Sequence, residues 1–207
     1  MYWVVNRTRV PVIIQCPGCN GEDTVPAAPK VRKESAASLV YVPSKPLRQQ
    51  NLARFVEESK KRNPQAAAQM EQLFRTSDII EQIAAAIRPS GLKTNNVADA
   101  YAVWWITAWE AANQTDAGSS SAMYQAVQRQ AAQAMLDSGR FSGASNAIKQ
   151  EMAEALFVQA ALIQATKDAA AGNPAQLAAI AGSVNQGAKS MGINLTSMTL
   201  TEDGFVP

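Results

Sequence analysis

Residues 97–113 read VADAYAVWWITAWEAAN. Three of the four tryptophans of the chain, Trp104, Trp105 and Trp109, fall within six residues there, and Tyr101 lies one helical turn before Trp105. On a helix, Tyr101, Trp105 and Trp109 share one stripe, and Val97, Trp104, Ala108 and Ala112 lie on a stripe beside it, because side chains three or four apart stack on one face. Apolar character over most of the circumference is what a helix needs when other helices enclose it. The stretch is therefore expected to be the centre of an all-α domain, a compact bundle of six or seven helices carrying an extended N-terminal arm. Tyr101, Trp104, Trp105 and Trp109 are also the candidate binding residues, since tryptophan offers a sugar or aromatic ligand a flat face and one donor; core packing is the competing reading of the same rings.

The segments on either side have helical period and clear punctuation. Leu52, Phe55 and Val56 give an apolar face from Leu47 onward, and Lys60-Lys61-Arg62 closes that helix where positive charge suits the carbonyl end. Asn63-Pro64 and Asn173-Pro174 each read as a cap followed by the first helical residue. The second helix should turn Ala67, Met70, Leu73 and Phe74 inward. A third, capped by Ser77 or Asp78, carries Ile79, Ile80, Ile83 and Ile87 and stops at Pro89-Ser90-Gly91. Asn95 or Asn96 caps the aromatic helix, and a serine cluster opens the fifth. The sixth, residues 144–171, places Ile148, Met152, Ala155, Leu156, Leu162 and Ile163 inward, and the seventh follows from Pro174 to Met191. Residues 193–207 are expected to pack back as an irregular tail.

Residues 1–46 have a different composition. Pro11, Pro17, Gly18, Gly21, Pro26 and Pro29 interrupt short β-prone runs, so an extended arm is expected there, with Leu39 to Val42 either a short strand or a segment laid on the body. The opening MYWVVNRTRVPVIIQ does not read as a signal peptide, because Arg7 and Arg9 break the apolar run and Pro11 follows it. No run of 18 apolar residues is present, so no transmembrane helix is expected.

Charge is distributed unevenly. The net charge is +2, but up to Arg62 there are 11 Lys and Arg against 5 Asp and Glu, and beyond it 8 against 12. A basic arm can contact an anionic membrane surface, and a solvated basic tail is the competing and favoured reading. The basic residues are scattered and lack interleaved aromatics, so no nucleic-acid partner is expected.

Histidine is absent, which removes Ser-His-Asp and Cys-His catalysis, HExxH zinc sites and the Glu-x-x-His di-iron pattern. Catalysis would have to rest on carboxylates, with Glu71, Glu151 and Glu154 on amphipathic segments and Asp99 and Glu110 on the aromatic helix as the groups to consider. Solvent exposure is the expectation for Glu71, Glu151 and Glu154. Glu110 is expected to mark the solvent edge, and Asp99 to serve a helix N-terminus. A non-enzymatic protein without cofactor is the reading this composition favours.

The sharpest local motif is Cys16-Pro17-Gly18-Cys19. A C-x-x-C pair can be a disulfide, a redox pair or half a zinc site. With no histidine and no third cysteine a zinc site would need a partner chain or carboxylates, so no metal is expected; Cys16 and Cys19 are a disulfide or redox candidate, with an exposed disulfide or idle thiols the favoured reading in a Pro/Gly-rich arm.

The phrases AAAQMEQLF (residues 66–74), NVADAYAVWWITAWEAAN (96–113), KQEMAEALFVQAAL (149–162) and MTLTEDGFVP (198–207) resemble a family of small, uncharacterised α-helical proteins from proteobacteria. The resemblance covers about residues 47–207 and contains no catalytic signature. It implies an exported protein, periplasmic or at the cell surface; without a recognisable export signal the alternative is a cytoplasmic one. The expected function is structural or interaction-based, with residues 1–46 reaching a protein partner or a second copy. A carboxylate-dependent hydrolase in a helical cleft and a small-molecule binder built on the aromatic helix are the alternatives.

Overall fold

The computed structural model describes residues 35–61 and 63–207. Over these the chain forms seven α-helices: α1 (Lys45–Lys60), α2 (Pro64–Thr76), α3 (Ile79–Ile87), α4 (Val97–Ala112), α5 (Ser121–Asp137), α6 (Asn146–Ala169) and α7 (Pro174–Ser190). A small antiparallel hairpin follows, β1 (Thr199–Thr201) and β2 (Gly204–Val206), with Leu200 opposite Phe205. The fold is all-α, as the sequence predicts. No described helix is long and apolar enough to cross a membrane.

Local chemistry sets every helix start. Each of the seven opens on a short polar side chain, Ser44, Asn63, Asp78, Asn96, Ser120, Ser145 or Asn173, that accepts from a backbone N–H of the first turn. Pro64 and Pro174 stand directly after their caps, where a missing N–H costs nothing. The same tolerance lets α1 begin at Lys45, two residues ahead of the predicted Leu47, with Pro46 inside its first turn.

The aromatic stretch is α4, and 14 of its 16 residues are buried. It packs on α6 most extensively and also on α5 and α7. Tyr101 and Trp105 are fully enclosed, with ring centroids 5.5 Å apart in an edge-on arrangement, and Trp104 sits 5.6 Å from Tyr101. Burying a ring of this size removes about 150–250 Å² from water, an upper bound of roughly 4–6 kcal/mol each. The other helices contribute single stripes: α1 lies on α2 and α6, α3 on α6, and β2 on α5.

Three expectations are corrected. Residues 193–207 are not an irregular tail, because a 3-10 turn at Leu195–Ser197 leads into the hairpin. Phe205 is the reason: its ring stands 4.7 Å from that of Trp105 and 5.9 Å from that of Trp109, and Trp109 Nε1 donates to Met198 O at 2.9 Å. Three-residue strands are too short to show a period in sequence. Leu73 and Ile148, predicted inward, are 41% and 47% exposed. In α6 the inward face is turned toward Lys149, Gln150, Ala153 and Glu154, so polar groups occupy positions that hydrophobicity alone assigns to its neighbours.

Leu39 to Val42 takes the second of its two predicted forms, a segment laid on the body. Leu39 and Tyr41 are buried, Val40 bridges Asn96, and the Tyr41 N–H donates to Asn95 O at 3.0 Å. The Tyr41 hydroxyl donates to Thr94 O and Lys149 Nζ to Val40 O. Residues 1–34 of the predicted arm, including Cys16 and Cys19, lie outside the described residues.

Candidate functional site

The polar chemistry of the described residues concentrates on the seam between α1 and α6. Arg48 and Asn51, three apart on α1, face Gln150 and Glu154, four apart on α6, a spacing that puts each pair on one helix face. Arg48 Nε donates to Glu154 Oε1 at 3.2 Å, Asn51 Nδ2 to Glu154 Oε2 at 2.7 Å, and Gln150 Nε2 to Glu154 Oε1 at 2.9 Å. Arg48 Nη1 reaches further, to Asp78 Oδ2 at 2.7 Å and Glu81 Oε1 at 3.1 Å at the start of α3. One guanidinium thus joins three helices.

Glu154 is 1% exposed, which overturns the expectation that it faces solvent. An ionised carboxylate at such a place needs a cation and hydrogen-bond donors, and Arg48, Asn51 and Gln150 supply them. Burial nevertheless pushes its pKa upward, against the hydrogen bonds from Asn51 and Gln150 and the charge of Arg48. The guanidinium itself is held above its usual range by its carboxylate partners, against the cost of burial. The Tyr41 hydroxyl is pushed up by burial and by the nearby Glu154 charge.

Other cations of α1 and its C-terminal end are paired as well. Arg54 pairs with Glu151 on α6; Lys60 pairs with Glu57 at 2.6 Å and with Glu71 on α2 at 3.5 Å; Lys61 pairs with Glu58 at 2.7 Å. Arg48, Arg54 and Lys60 thus meet carboxylates beyond residue 62, while Lys61, and Lys60 in part, are answered by Glu58 and Glu57 of α1 itself.

The remaining candidate carboxylates stand elsewhere. Asp99 is buried in the first turn of α4, where its carboxylate accepts from Lys93 N of the preceding loop at 2.7 Å; burial raises its pKa. Glu110 is half-buried near the other end of α4 and accepts from Ser119 Oγ at 3.0 Å, and burial raises its pKa also. Lys167 holds the loop beside it through Asp116 Oδ1 at 2.5 Å and Thr115 O at 3.2 Å. Among Glu71, Glu110, Glu151 and Glu154, only Glu151 and Glu154 line one seam, and each is bound by a different arginine of α1.

Tyr101, Trp104, Trp105 and Trp109 are packed in the core, with Trp109 half-buried under Phe205. A shallow apolar recess lies instead between α6 and α7, lined by Leu162, Ile163, Thr166, Ala179, Ile180 and Val184. Among the described residues no group of three or more Cys, Asp or Glu is placed to hold a metal. Sequence reading missed Arg48, Asn51 and Gln150. The available signal was the recurrence of two polar residues on one face of each of two helices that otherwise look amphipathic.

These observations define a seven-helix bundle with an aromatic central helix, a charged seam and a C-terminal hairpin sealed onto the core. The chain belongs to a family of unknown function, DUF6683, whose signature matches residues 19–206. The match begins well ahead of residue 47, where the resemblance seen in sequence starts, so much of the arm is part of the family pattern. No curated protein and no solved structure matches the chain significantly.

Proposed function

We propose that this protein is a non-catalytic docking or assembly protein, a closed helical body from which the N-terminal arm reaches a protein partner or a second copy. The observation that carries this reading is the anchoring of residues 39–44. Gln150 bonds both backbone groups of Ser44, at 2.9 and 2.8 Å, and Val40 and Tyr41 are tied to Asn96 and Asn95 at the head of α4. The segment that carries the arm is therefore fixed on the body, which lowers the entropy cost of presenting the arm to a partner. Val40 and Val42 are exposed at 40% and 73% on the same segment.

Two further points favour an interaction role over a hydrolase. The buried carboxylate of Glu154 is engaged by three side chains of its own fold, and Asp99 and Glu110 have separate internal partners. An exported location, periplasmic or cell-surface, belongs to this proposal through the family resemblance. Chemical cross-linking and light scattering on the full chain and on a variant lacking residues 1–34 test it. Loss of assembly or partner capture in the truncated chain, with its helical circular dichroism retained, is the expected result; identical assembly in both rejects the proposal.

A further inference from the structure

The Arg48–Glu154 seam has one polar atom without a partner. Asn51 Oδ1 is buried and accepts no hydrogen bond, although the nitrogen of the same amide donates to Glu154 Oε2. Asn51 as a whole is 7% exposed. An orphaned acceptor beside a buried carboxylate is costly, of the order of 1–3 kcal/mol, and in a cluster so fully connected it calls for an explanation.

The two oxygens of Glu154 are not equivalent. Oε1 accepts from Arg48 Nε and Gln150 Nε2, whereas Oε2 accepts only from Asn51. A proton arriving at Glu154 therefore goes to Oε2, where it meets an N–H donor pointing at it. Turning the Asn51 amide over about its last torsion exchanges donor for acceptor, and the orphaned Oδ1 then receives the new O–H. The 2.7 Å separation suits an O–H···O bond as well as an N–H···O bond.

We propose that Glu154 and Asn51 form a proton-binding pair inside the α1–α6 seam, in which uptake of one proton at Glu154 Oε2 is coupled to a flip of the Asn51 side-chain amide. In the balance, one proton from solvent adds to Oε2, an O–H···O bond to Oδ1 replaces the N–H···O bond from Nδ2, Nδ2 moves to the position Oδ1 held, and the seam loses one negative charge. Arg48 is not stranded by this, because its Nη1 keeps Asp78 and Glu81. The charged and titratable groups facing the pair are Arg48 on α1, Asp78 and Glu81 of α3 across that guanidinium, and Tyr41 of the anchored segment. On α4, Asp99 and Glu110 are engaged elsewhere, by Lys93 N and by Ser119. Burial of Glu154 moves its proton affinity in the direction the pair requires. The seam can thus pass between a charged and a neutral form while α1 stays docked. This inference is independent of the docking role proposed above.

The test is nuclear magnetic resonance on the full, isotope-labelled chain, following the Glu154 side-chain carboxyl carbon and the Asn51 side-chain amide from about pH 8 to about pH 4, against an ordinary glutamate value of about 4.3. Both should move in one shared step with its midpoint above that value, and Glu154→Gln should hold the Asn51 amide at its acid-side position at every pH. A Glu154 midpoint at or below the ordinary value overturns the proposal. So does an Asn51 amide that does not follow the Glu154 step. These two readouts come from the unaltered protein and hold even if Glu154→Gln fails to fold.

Discussion

The side-chain amide of Gln130 makes both hydrogen bonds of the Phe205 backbone, donating to Phe205 O and accepting from Phe205 N, each at 2.9 Å. Gln130 thereby stands in for a third strand beside β2, and Phe205 is held where its ring covers Trp105 and Trp109. Gln150 treats Ser44 in the same way at the other end of the described chain. Gln130→Leu leaves two backbone groups unpaired and is expected to cost about 1–3 kcal/mol. Urea unfolding checks the cost, and a red shift of tryptophan emission in the folded state checks the loosening of the hairpin.

Gly204 is fixed by that same amide. Its φ is +104°, and a Cβ at this position would overlap the Gln130 side chain. Gly204→Ala should cost about 1–3 kcal/mol through backbone strain and more through the overlap. In a Gln130→Ala background only the strain remains, so the double variant should lie closer to Gln130→Ala than the two single losses added together predict. Simple additivity in thermal melts would show that the overlap is relieved some other way.

Arg48 is the cation on which buried Glu154 depends. Arg48→Met keeps the packing stem but strands the carboxylate, with an expected loss of about 3–5 kcal/mol. Adding Glu154→Gln should recover part of it, because a neutral amide needs no counter-charge. A double variant less stable than Arg48→Met alone contradicts the role given to the pair.

Asp99, Glu110 and Glu154 are all shifted upward, in each case chiefly by burial. A carboxyl whose folded pKa exceeds its unfolded value binds its proton more tightly in the folded protein. Its contribution to stability is therefore greatest at low pH and declines as pH rises through the interval between the two values. The urea midpoint is expected to be higher near pH 5 than near pH 7, and the difference to shrink in a variant with all three changed to Asn or Gln. A midpoint that falls on mild acidification contradicts this account.

The fold was legible where one residue type settles one local question. Asn63, Asn173 and the Ser77/Asp78 and Asn95/Asn96 alternatives located helix starts, because capping is decided by a side chain and the backbone next to it. The aromatic stripe marked the centre because an all-round apolar helix has no other place to go. What could not be read was pairing at long range. Nothing local says that Glu154, between Ala153 and Ala155, meets an arginine 106 residues earlier. Ile148 looked inward for the same reason, since periodicity gives the width of a face but not which neighbour it must satisfy. The hairpin escaped notice because its stability comes from Gln130 and the tryptophans and not from its own strands.

The placement of the α1 cations also has a consequence in time. During synthesis α1 emerges with its positive charges long before Glu151 and Glu154 of α6 exist to receive them. α1 can fold early against α2, with Arg48 reaching Asp78 and Glu81 at the start of α3; its seat on α6 is missing until that helix has been made. Contacts of such sequence separation are paid for late, so the order expected is α4–α6 first and α1–α2 closing afterwards. Pulse-labelling hydrogen exchange during refolding should find protection in α4 and α6 ahead of α1. The charge division along the chain then acts as a delay: the first helices made are the last to be fastened.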